Sequence, residues 1–61
     1  MKFHIRFTNP DGNSIEVVYN TISEVAKVHT STILLLCRMA KQHGTASYTY
    51  SGGVNVTVSY F

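Results

Sequence analysis

Apolar and polar residues alternate at both ends of the chain but not in its middle. In "KFHIRFT", Phe3, Ile5 and Phe7 share one side, and Lys2, His4, Arg6 and Thr8 share the other. A period of two is the mark of a half-buried strand. "NPDG" follows: proline presets the first turn position, Asp11 suits the second and Gly12 supplies a positive φ. A three-residue loop, Pro10-Asp11-Gly12, with a glycine bulge predicts the pairing. Phe7 then meets Ile15, Ile5 meets Val17 and Phe3 meets Tyr19, while Arg6 meets Glu16 on the opposite face. Val18, opposite His4, is the one apolar residue on the polar face.

The C-terminal "YTYSGGVNVTVSYF" carries the same design. A two-residue turn at Gly52-Gly53 would mix the faces, with Thr49 opposite Val56. A three-residue loop, Ser51-Gly52-Gly53, pairs Tyr50 with Val54, Tyr48 with Val56 and Ala46 with Val58. A slip of one residue flips every side chain, so the second register is the one predicted.

Between the hairpins the period changes. Thr21 and Glu24 have capping-box spacing, with Thr21 as N-cap. Gly44 follows Lys41 and His43 as a helix terminator. Two readings of residues 22–43 stand open. In the first, one helix places Ile22, Val25, Ile33, Leu36 and Ala40 on one stripe, with Val28, Leu35 and Met39 widening it on one side and Ala26 and Cys37 on the other. Leu34 then lies among the charges, and His29 lies in the stripe as a satisfied core or interface histidine. In the second, the helix breaks near His29–Ser31, where polar and β-branched residues weaken it, and Thr32 caps a second helix.

"TISEVAKVHTSTILLLCRMA", residues 21–40, resembles the helix-turn-helix segments of small phage proteins and of motifs appended to homing endonucleases. The shared elements are the "TISEVA" first helix and a second helix opened by Ser or Thr. The resemblance implies a DNA-binding regulator in which Thr32 and Arg38 read bases and Val25, Ala26, Leu36 and Met39 are buried.

The pattern as a whole predicts an α+β fold of a single domain, residues 1–61, ordered ββ-α-ββ. Two β-hairpins form one antiparallel sheet, packed by one long central helix, continuous or broken. One sheet covers about half of so wide an apolar arc. Val28, Leu34, Leu35 and Met39 are therefore expected at a subunit interface, most simply the same helix of a second copy.

Composition limits the alternatives. The chain has 61 residues and one cysteine, so no intrachain disulfide reinforces a core of marginal size. Cys37 is expected to be buried and reduced. The three histidines are scattered without zinc spacing, and no metal or cofactor is expected. Five basic residues against three acidic is a mild excess, below the density of proteins that bind nucleic acid chiefly through phosphate. Lys2, His4 and Arg6 on strand one, and Lys27, Arg38 and Lys41 on the helix, are the candidate anion or nucleic-acid contacts. The acids are accounted for by a turn (Asp11), a cap (Glu24) and an ion pair (Glu16), which leaves no carboxylate pair for acid–base catalysis. No signal peptide or membrane span is legible, so a cytoplasmic location is expected. These features predict a small, non-catalytic homo-oligomer that binds a host protein or sequesters a small ligand, an accessory or anti-defence factor of a phage or mobile element. DNA binding through the broken helix is the alternative.

Overall fold

Both hairpins form in the registers that side-chain alternation demands. In the computed structural model, which describes residues 1–61, β1 (Phe3–Thr8) pairs with β2 (Ser14–Tyr19) and β3 (Thr45–Thr49) with β4 (Asn55–Tyr60). Phe3 faces Tyr19, Ile5 faces Val17 and Phe7 faces Ile15. Ala46 faces Val58 and Tyr48 faces Val56. Each loop is closed by the same two hydrogen bonds. The Gly12 N–H donates to the Asn9 carbonyl at 2.9 Å, and the Asn9 N–H to the Asn13 carbonyl at 2.8 Å. Gly53 and Tyr50 repeat this with Tyr50 and Val54 at 2.9 and 2.8 Å. Gly12 and Gly53 have φ of 93° and 90°, the left-handed region that a side chain resists.

The strand order is β2-β1-β4-β3. The first and last strands are thus the two central ones, paired antiparallel with Phe3 opposite Tyr60 and Phe7 opposite Val56. On their inner faces Ile5, Val56 and Val58 have no solvent exposure. This pairing also sets the two loops side by side. A Cβ on Gly53 would lie 3.0 Å from Cγ of Pro10.

The middle segment is two helices, α1 (Ile22–Ala26) and α2 (Ser31–His43), so the continuous reading of residues 22–43 does not hold. Length supplies the reason. A straight helix of that span would run about 33 Å, whereas a six-residue strand spans about 20 Å. Folding back lets both halves lie on the sheet, α1 toward β2 and α2 over β3 and β4. The Thr21 hydroxyl caps α1 by accepting from the Glu24 N–H at 3.2 Å. The second cap falls on Thr30 and not Thr32, with no side-chain hydrogen bond. Gly44 ends α2 at φ 95°, and its N–H donates to the Ala40 carbonyl. His29 sits in the turn between the helices. Its Nε2 lies 2.9 Å from the Tyr19 hydroxyl and its ring 5.9 Å from that of Phe7, so the histidine is satisfied at the edge of the core.

The break also resets which face of α2 is buried. Ile33, Leu36, Cys37 and Ala40 form the buried stripe. It is turned toward Cys37 and away from Leu35 and Met39, compared with the stripe of one continuous helix.

Replacing Gly12 with Ala should cost about 1–2 kcal/mol, the penalty of a side chain in the left-handed region. Gly53→Ala should cost more, because the same strain is joined by the contact with Pro10. Thermal or urea denaturation of the two variants measures the difference; equal losses would show that the loops do not bear on one another.

Candidate functional site

The sequence-derived site residues other than Leu34 are divided between the helical segment and the outer face of the sheet. The helical segment exposes Lys27 and Val28 in the turn after α1 and Leu35, Arg38 and Met39 on α2. Val28 is 67% exposed, Leu35 56% and Met39 43%. Leu34 separates from this group. It is half-buried and packs against the core, because the buried stripe of α2 is turned to its side. Lys27, Arg38 and Lys41 are exposed, and no acidic group pairs with them; the only ion pairs in the molecule are on the sheet.

The outer face of the sheet carries Lys2, His4 and Arg6. Glu16 draws two of these together. The Arg6 guanidinium donates to it at 3.3 Å, and His4 Nδ1 lies 3.8 Å from the other oxygen. His4 is stacked on Phe61, with ring centroids 3.8 Å apart and planes 4° from parallel. Val18 stands opposite His4 in the register. The apolar residue that broke the polar pattern of strand two thus borders an aromatic patch. Phe61 reaches this face because Lys2 and Phe61 extend the central pairing, each donating its N–H to the other's carbonyl at 2.7 and 3.1 Å. No local signal in the sequence marks Phe61, since its face is decided by the strand order. The β3–β4 half of the same face is neutral: Thr45, Ser47 and Thr49 stand opposite Ser59, Thr57 and Asn55.

Chemically reactive groups are dispersed or occupied. Asp11 accepts from the backbone and the side chain of Asn13, both at 3.0 Å. Glu16 is engaged as above, and Glu24 lies in the first turn of α1. No three His, Cys, Asp or Glu residues come together as a metal-binding group. The single chain contains no cavity, and no helix is long and apolar enough to cross a membrane. Cys37 is fully buried, and that burial pushes its thiol above the ordinary value near 9.0.

The raised Cys37 value has a pH consequence. Thiolate forms more readily in the unfolded chain, so stability is unaffected by this group below the unfolded value and falls as pH rises through 9.0 and beyond. Denaturation midpoints should therefore drop in that range, and Cys37→Ala should remove this component of the slope. An unchanged slope in the variant would assign the loss to other groups. Comparison with known proteins finds no match to a family model, to a curated protein or to a solved structure.

Proposed function

We propose that this chain is a non-catalytic binding protein that self-associates and recognises a macromolecular partner, in the manner of the accessory or anti-defence factors of phages and mobile elements. The observation that carries the reading is the exposure of apolar side chains in the helical segment, above all Leu35 and Met39 of α2, with Val28 in the turn before it. Burying a side chain of this size is worth about 1.5–3 kcal/mol. Domains have only about 5–15 kcal/mol of net stability. A chain with ten buried residues exposes eight large apolar side chains, and three of them, Val28, Leu35 and Met39, belong to the helical segment and are available to association. A small ligand has less support, because such ligands need a concavity and a single chain provides none.

A second reading, duplex DNA, is favoured by one observation: Lys27, Arg38 and Lys41 lie on the helical layer without acidic partners. Unpaired cations of this kind are available to phosphate.

Sedimentation over a range of concentrations tests the first reading. Wild-type protein should be an oligomer, and Leu35→Glu should be a folded monomer, because a carboxylate would be desolvated there without a partner. Leu34→Glu should instead lose stability at every concentration, since Leu34 packs on the core. Wild-type protein that stays monomeric at all concentrations would refute self-association.

For the second reading, Arg38→Ala and Lys41→Ala should each lower the log–log salt slope of duplex binding by about one. Absence of duplex binding by micromolar protein in low salt would remove it.

A further inference from the structure

We infer that the self-association proposed above runs through the free edge of β3: two copies join in a two-fold antiparallel contact that makes one eight-stranded sheet, with their α2 helices side by side above the join. The inference rests on the reading of the chain as an oligomer and specifies where the copies meet.

The backbone points to this edge. Tyr50 donates its N–H inward to Val54, just before β4. Antiparallel alternation therefore directs the N–H and C=O of Thr45, Ser47 and Thr49 away from β4, toward solvent. Natural edge strands are usually protected by charge, proline or a bulge. "TASYT" has neither charge nor proline. The opposite edge, β2, has Glu16 near its centre, which a two-fold pairing would bring toward its own copy. The β3 edge is self-complementary. With the axis at Ser47, Thr45 pairs with the partner copy's Thr49, and small Ala46 lies opposite the larger Tyr48. Tyr48 is 49% exposed in the single chain, so it has surface to give to that contact.

The helical layer fits the same axis. α2 lies over β3 and β4, so its axis is about half a strand spacing inside β3. A two-fold axis would lie half a spacing outside it. Two α2 helices then stand about 9–10 Å apart, given strands about 4.8 Å apart, and that is the distance at which helices pack. At 100° per residue, Thr32, Met39 and Leu35 lie on one side of the buried stripe of α2 and Leu34 and Lys41 on the other. The packing of Leu34 against the core points to its side as the one toward α1, which leaves Met39 toward the free edge. Arg38 is exposed on the side away from the buried stripe. The seam is thus apolar and uncharged, and the cations stay clear of it.

Ser47→Pro is the direct test. Its N–H points to solvent in the single chain, so proline is tolerated there but cannot pair across an edge. By sedimentation equilibrium the wild-type mass should be twice 6.8 kDa, and Ser47→Pro and Met39→Glu should each halve it while circular dichroism is unchanged. In wild-type protein the Ser47 amide should exchange at least about tenfold more slowly when concentration favours the dimer. If Ser47→Pro stays dimeric while Leu35→Glu is monomeric, the copies meet through the helices alone; the edge is refuted and self-association stands. A wild-type monomer at all concentrations refutes both. Should Ser47→Pro fail to fold, fast exchange of Ser47 at every concentration of a wild-type dimer refutes the edge.

Discussion

The pairing of β1 with β4 is the constraint on which the rest of the structure depends. Each hairpin is local, and an isolated hairpin is at best marginally stable in water. Joined along their inner strands, the two make one four-stranded sheet whose central residues, Ile5, Val56 and Val58, are fully dry. The pairing joins residues far apart in the chain, from Thr8 with Asn55 to Lys2 with Phe61. Contacts at that separation close long loops, so they form late and slowly compared with the hairpins themselves. The pairing also decides what is left over: β2 and β3 become edges, and one face of the sheet must be covered by the only remaining segment, residues 20–44.

That cover is thin. Five residues of α1 and thirteen of α2 protect a single face, and the segment must turn back to do so. The turn is held by His29, which satisfies the Tyr19 hydroxyl while its ring lies near those of Phe7 and Tyr19. Its helical half contributes little hydrogen bonding of its own, since Thr30 caps α2 with its backbone alone. Position in this turn is therefore fixed more by packing than by capping. The consequence is a small core and a helical layer with an apolar outer side. Val28, Leu35 and Met39 stay exposed on it.

The two surfaces differ in kind. On the sheet, Glu16 ties Arg6 and approaches His4, and Phe61 covers the imidazole. Much of the charge there is used within the molecule. On the helices, charge is unpaired; both surfaces expose apolar groups, Val28, Leu35 and Met39 on the helical segment and Val18 and Phe61 on the sheet. The unpaired charge beside exposed Leu35 and Met39 directs the binding reading to the helical layer and the β3 edge beside it.

The sequence by itself determined everything that depends on neighbours a few residues away. Alternation and the paired glycine bulges set both hairpin registers, because a slip of one residue would expose a whole face. Thr21 and Gly44 marked the outer ends of the helical segment for equally local reasons. The same local signals made His29–Ser31 a weak point but could not decide whether the helix breaks there. Only the tertiary structure decided that, since the answer depends on the length of the sheet to be covered. It also decided the strand order, and with it the face of Phe61 and the approach of Pro10 to Gly53. Finally, it separated Leu34 from Leu35. Which of two adjacent leucines is buried depends on how α2 is rotated against the sheet, and that rotation is set by packing across the whole chain rather than by any pattern along it.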